Sequence, residues 1–261
     1  MANVQVQQSL QATVGRRLLA WCVHFYTALG LVAAAGIAVL LVQNPPDFRG
    51  GFLLMFVALL IDATDGTFAR RVRVKEVLPG FDGRRLDDII DFLTYTCLPL
   101  FLVYQAEILP RAYDWWLLLP LLASAYGFSQ VFAKTEDGYF LGFPSYWNLV
   151  GFYLYVLRPP AWLAMAILGG LALLTFVPMR YLYPSQRGRL NRLTNLLGGL
   201  WAILVVYILW RLPARNVADV DPLTRRLGLV SLFFPLYYLV VSWGVSWRLW
   251  RRARSPGPAR S

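Results

Sequence analysis

Apolar residues run along this chain in eight long stretches separated by short polar breaks, at about residues 17–43, 50–70, 86–107, 112–133, 141–158, 160–178, 192–211 and 226–250. A helix needs roughly 20 apolar residues to cross a bilayer, and most of these stretches reach that length. Pro and Gly punctuate the breaks: Pro45-Pro46, Pro79-Gly80, Pro110, Pro144, Pro159-Pro160 and Pro184. The pattern predicts an all-α fold, a polytopic membrane bundle of about eight transmembrane helices. The fifth stretch is the shortest, and Arg158-Pro159-Pro160 ties it closely to the sixth. With no internal repeat and no separate soluble unit, residues 1–250 read as one integral-membrane catalytic domain. Residues 251–261, RRARSPGPARS, read as a basic disordered tail.

Composition supports the pattern. The 261 residues are 58% hydrophobic and only 15% charged, with mean hydropathy +0.51. A soluble domain of this size could not hide that much apolar surface. The N-terminal residues lack a short apolar core followed by a small-residue cleavage site, so the first apolar stretch is expected to stay as a helix. Cys22 and Cys97 read as small buried hydrophobes, with no disulfide framework or zinc site.

The net charge of +11 sits at helix ends rather than in one patch, which suits anionic lipid and argues against nucleic acid. Basic residues also orient the bundle. Arg70, Arg71, Arg73, Lys75, Arg84 and Arg85 follow the second stretch, and Arg180, Arg187, Arg189 and Arg192 follow the sixth. Both loops are expected to be cytoplasmic, as are both termini. Arg211, Arg215, Arg225 and Arg226 conflict with this, because an eight-helix count puts them on the other side.

The chemistry is concentrated in "DATDGTFARRVRVKEVLPGFDGRRLDDIID", residues 62–91. Asp62 and Asp65, at i and i+3, share a helix face that Ala69 continues. Gly83, Asp87 and Asp91, at steps of four, share a face of the next helix. The loop between is short, so the two acidic faces can converge. Four carboxylates at one membrane edge need cations to neutralise them. Their oxygens suit Mg²⁺ or Mn²⁺, and a pair of such ions can bridge phosphate oxygens during an in-line displacement. Gly66 and Ala69 leave room for a ligand near the backbone, and Arg70 offers a fork to phosphate. Asp88 lies about 100° from Asp87 and takes no part in this face.

These positions resemble the signature of the CDP-alcohol phosphotransferase family, D-x2-D-G-x2-A-R-x(n)-G-x3-D-x3-D. The segment between Arg70 and Gly83, residues 71–82, is longer than usual for that family. It is similar to a bacterial branch that uses choline, as are "AWCVHFYTALG" in the first stretch and "GFPSYWNLVGFYL" in the fifth. The resemblance implies a six-helix core, a homodimer and a bacterial inner (cytoplasmic) membrane location with the site facing the cytoplasm. It implies transfer of phosphatidyl from CDP-diacylglycerol to choline, giving phosphatidylcholine and CMP, with Mn²⁺ or Mg²⁺ in a two-metal site. Carried over by motif position, Asp62, Asp65, Asp87 and Asp91 hold metal, and Asp91 also serves as base. Gly66, Ala69, Arg70 and Gly83 contact the CDP moiety.

Choline has no N–H to donate, so aromatic rings and sometimes an acid are expected around it. Candidates are Trp21, Tyr26, Tyr95, Tyr146 and Trp147, with Glu136 and Asp137. The only histidine, His24, reads as a satisfied buried side chain. Two other readings stay open. One is a sister enzyme using inositol phosphate, glycerol phosphate or serine, with Arg187, Arg189 and Arg192 receiving a phosphorylated acceptor. The other is an ion-coupled transporter, which would release no CMP.

Overall fold

The computed structural model describes residues 13–130, 139–182, 189–215 and 219–254. Helices α1 (Val14–Val42) and α2 (Phe48–Val72) are followed by a single turn, α3 (Val74–Val77). Next, α4 (Gly83–Asp91) runs through a π-helical segment (Phe92–Cys97) into α5 (Leu98–Gln105) without a break. A 3₁₀ segment (Arg111–Leu117) leads into α6 (Leu118–Ser129). Then come α7 (Trp147–Leu157), α8 (Ala161–Leu174), α9 (Arg189–Arg211), α10 (Pro222–Ser231) and α11 (Phe233–Arg254). Joined where they run on, these give one helical span for each apolar stretch, and the chain is an all-α polytopic membrane bundle. Four spans are long and apolar enough to cross a membrane by themselves: Val14–Val42, Phe48–Val72, Arg192–Arg211 and Pro222–Arg248. Helix α11 takes in the first residues of the expected tail, and residues 255–261 lie outside those described.

One feature is not helical. Strands β1 (Tyr139–Leu141) and β2 (Arg180–Leu182) form a two-stranded antiparallel ribbon, with Phe140 opposite Tyr181. Helices α7 and α8 are too short to span the hydrocarbon at 1.5 Å per residue. The extended segments beside them make up the reach, cross-linked by Gly142 N–H to Met179 O and Phe143 N–H to Leu174 O.

Helix α7 is the core of the bundle. Gly151 through Val156 are all buried, as expected for a helix that is apolar all round. Phe152 and Tyr155 meet Phe52 of α2 edge-on. Gly151 lies against Val103 of α5, and Val156 against Gly228 of α10. The Tyr153 hydroxyl donates to Ser231 O and accepts from Trp201 Nε1 of α9. Polar groups facing one another across helices in this way satisfy each other where water is absent. On the outer faces, Phe25, Trp162, Ile203, Trp210 and Val240 are exposed, a surface that suits acyl chains. Cys22 is exposed there too, not buried as its apolar surroundings suggested, while Cys97 is half-buried.

The structure places the conflicting basic loop at the end of the bundle away from the motif. Arg49 N–H donates to Ala214 O, and the Arg158 guanidinium donates to Glu107 O. Residues 43–49, 106–111, 158–160, 212–215 and 219–221 thus gather at one end, opposite the 70–86 loop. There Asp221 caps α10 by accepting from Thr224 N and Oγ1, and it pairs with Arg211. The Thr224 hydrogen bonds first, then Arg211, hold its carboxyl down to about 2. Arg211, one of the four arginines of this loop, is therefore balanced locally.

Helices α1 and α2 form an antiparallel hairpin, and α4 crosses α1 closely. A Cβ at Gly30 would lie 2.6 Å from Ile90 Cγ2. Gly30→Val should therefore push α4 away and cost about 1–3 kcal/mol, as overpacked cores do. Thermal unfolding in detergent measures this, with Gly170→Val as the control. Nothing lies within 4 Å of a Cβ at Gly170, so its midpoint should not fall.

Candidate active site

The α1–α2 hairpin and α4 bring the acidic faces together. Asp47 caps the start of α2 by accepting from Gly50 N–H. At its other end Arg73 adopts a left-handed conformation (φ 57°) and returns its N–H to Ala69 O and Arg70 O. That reversal, the α3 turn and the Asp82 cap on Arg84 and Arg85 N–H start α4 beside the end of α2. One carboxylate oxygen from each of Asp62, Asp87 and Asp91 then lies within 4.8 Å of the others, all three residues half-buried. Such a set of oxygens at this spacing fits a hard divalent cation.

Asp65 faces α1 instead. It is buried, and its Oδ2 accepts from the Thr27 hydroxyl at 2.8 Å. At the adjacent positions, Tyr26 and Thr64 pair their hydroxyls at 2.8 Å. The Thr27 contact was missed from sequence, although Thr27 follows His24 by three residues on the same helix face. Asp88 pairs with exposed Arg84 at 3.9 Å.

The four small or basic motif positions divide between two surroundings. Arg70 is exposed and folds back over Gly66, donating to Thr67 at 3.1 Å. A Cβ on Gly66 would meet only Arg70 Nη1, at 3.3 Å, so this side is otherwise open. Ala69 packs on a small core of Ala20, Val23, Val74, Val77 and Leu78. Gly83 lies under the His24 ring, where a Cβ would fall 2.5 Å from Cε1. His24 is buried as expected, but its Nε2 has no partner among the described residues. Phe81 covers its ring at 4.4 Å, and Trp21, itself exposed, meets both rings edge-on.

Of the aromatic candidates, Tyr95 and Tyr146 come together. The Tyr95 hydroxyl donates to Asp62 Oδ2 at 2.6 Å, and its ring lies 6.3 Å from that of Tyr146. The row continues to Tyr238 of α11, 6.5 Å from Tyr146, and to Tyr181 of β2, stacked on Tyr238 at 6.3 Å. Tyr238 and Tyr181 carry no sequence motif, and only tertiary packing reveals them. Tyr26 is half-buried beside Phe68 on the α1–α2 side. Trp147 is only 1% exposed, with its indole N–H donated to Ser124, so it belongs to the packed core. Glu136, Asp137 and Arg187 lie outside the described residues, and the side chain of Arg189 is not described.

Three half-buried acids beside an arginine fork and an aromatic row can hold a cation, bind a phosphorylated substrate and receive a proton. No protein-family model matches the chain. It is 33% identical to phosphatidylcholine synthase of Pseudomonas aeruginosa over 247 residues, 94% of this chain and 97% of that protein. It is 38% identical to phosphatidylcholine synthase of Bradyrhizobium diazoefficiens over 205 residues, 78% of this chain and 76% of that protein. Phosphatidylcholine synthase of Legionella pneumophila is 39% identical over 189 residues, 70% of this chain and 71% of its own length. Identities of 33–39% over 70–94% of the chain, with the acidic faces converged, make this chain a member of the phosphatidylcholine synthase family.

Proposed function

We propose that this membrane enzyme transfers the phosphatidyl group of CDP-diacylglycerol to choline, forming phosphatidylcholine and releasing CMP. The convergence of Asp62, Asp87 and Asp91 carries this reading, together with the names of its relatives. A divalent cation at these carboxylates, Mn²⁺ or Mg²⁺ and in a two-ion arrangement, would neutralise charge on the pyrophosphate oxygens. Asp65 belongs to the same acidic set and is steadied by Thr27. Arg70 presents its fork to a phosphate over the open side of Gly66. Ala69 and Gly83 keep α1, α2 and α4 close enough for CDP to reach the acids.

In the reaction, Asp91 accepts the choline hydroxyl proton. The choline oxygen bonds to the lipid-side phosphorus, the bond from that phosphorus to the CMP oxygen breaks, and Arg70 offsets charge on the departing CMP. We read the site as facing the cytoplasm of a bacterial inner membrane, from the basic residues at 70–86, and the enzyme as the homodimer common in its wider family.

Asp62→Ala and Asp87→Ala should each lose essentially all CMP release, and excess chelator should silence the wild type. Normal turnover by either variant, or full activity in chelator, refutes the metal site.

Choline recognition is assigned to the half-buried rings of Tyr146 and Tyr238. A desolvated cation–π contact is worth about 2 kcal/mol, or roughly 30-fold in binding. Tyr146→Ala or Tyr238→Ala should raise the choline requirement by that order and leave CDP-diacylglycerol use unchanged. Ethanolamine, serine and inositol should be poorer acceptors in direct competition at fixed CDP-diacylglycerol. Faster CMP release with serine, inositol phosphate or glycerol phosphate would overturn the choice of choline but not the transfer reaction.

Orientation has its own test. In intact cells an impermeant thiol reagent should miss a cysteine at Lys75→Cys and modify one at Arg215→Cys, because these exposed positions lie at opposite ends of the bundle. The reverse pattern would invert the topology.

A further inference from the structure

We infer that Tyr95 is a positioning residue for the metal site, holding Asp62 in the orientation that lets it share a cation with Asp87 and Asp91. This rests on the metal reading above and adds to it a residue outside the acidic motif.

Three observations point the same way. First, the Tyr95 hydroxyl to Asp62 Oδ2 distance of 2.6 Å lies in the range of a charge-assisted O–H···O⁻ bond, roughly twice as strong as a neutral one. A carboxylate ligand fixed by such a bond keeps its orientation whether or not a cation is present.

Second, Tyr95 is only 6% exposed, with neighbours already covering its ring. A quaternary ammonium needs an open aromatic face, which Tyr146 and Tyr238 retain better because each is half-buried. A buried tyrosine hydroxyl also needs a partner, and here that partner is Asp62.

Third, the backbone is shaped for this contact. Positions 83, 87, 91 and 95 would drift by about 40° per step on a continuous α-helix. The chain instead changes to π-helix over Phe92–Cys97, directly after Asp91. Wider turns take back part of the drift and return residue 95 towards the face of Asp87 and Asp91. Such π segments often mark functional sites. Threonine hydroxyls can satisfy loosened backbone, and Thr94 donates to Ile90 O at 3.0 Å.

The test is Tyr95→Phe, which keeps the ring and removes the bond to Asp62. Purified protein without lipid or choline substrate is titrated with Mn²⁺, and the thermal midpoint is followed, because a ligand of the folded state raises it according to its affinity. The Mn²⁺ concentration needed should rise roughly 10–100-fold, the usual effect of losing a partner that orients a metal ligand. Metal activation of CMP release should shift alike, with the choline KM unchanged. The midpoint without metal should stay near that of the wild type, which separates loss of positioning from loss of fold. An unchanged Mn²⁺ requirement overturns the inference, as does a rise in choline KM alone, which would make Tyr95 part of the choline wall. A wild type that Mn²⁺ does not stabilise would sink the metal reading and this inference with it.

Discussion

Three carboxylates within 4.8 Å of one another at the end of an apolar bundle repel each other, and the surrounding structure has to hold them against that repulsion. Each is placed by a different constraint. Asp62 comes from the end of α2, whose path is fixed by its antiparallel run along α1. Asp87 and Asp91 come from α4, which the Asp82 cap starts at the right height. The crossing of α4 on α1 is close only because Gly30 has no side chain to meet Ile90. Asp65, one turn from Asp62, bonds to Thr27 of α1 and so fixes α2 about its own axis. Asp65 turns to the frame while the other three acids of the motif face one another.

The sequence revealed the periodic parts. Carboxylates at steps of three and four share helix faces, and a short loop brings those faces near each other, so Asp62, Asp65, Asp87 and Asp91 could be grouped from the sequence, whereas the turn of Asp65 towards Thr27 could not be read there. The eight apolar stretches each became a helical span for the same reason. Features set by packing between distant segments were not legible. Tyr238 is 147 residues along the chain from Asp91, and no local pattern links them. Trp147 looked like a choline contact, but it is buried at the start of the central helix with its indole N–H on Ser124. The π segment has no propensity signature, since FLTYTC reads as ordinary apolar helix.

Charge counting left one loop in conflict with the helix count. Arg211, Arg215, Arg225 and Arg226 weigh in a tally of loops as four cytoplasmic votes. The structure gathers their loop with residues 43–49 and 106–111, away from the motif, and gives Arg211 its own acid in Asp221. A guanidinium with a partner carboxylate beside it presents little net charge to a lipid headgroup. The rule counts formal charges, whereas the membrane responds to those left unbalanced.

The two substrates of the proposed reaction make opposite demands on one cleft. A nucleotide pyrophosphate needs hard oxygens, a metal and an arginine, while choline needs aromatic faces and little competing water. The first set comes from α2 and α4, early in the chain. The second comes from Tyr146 at the start of α7 and Tyr238 of α11, backed by Tyr181 of the ribbon. Tyr95 stands where they meet, with its hydroxyl on Asp62 and its ring beside Tyr146. A shift of the 92–97 segment would therefore move the acidic edge and the aromatic edge together. In the proposed reaction that coupling would hold the acceptor oxygen in register with the phosphorus it attacks, giving Tyr181 of the ribbon and α7 a supporting role although neither supplies a carboxylate.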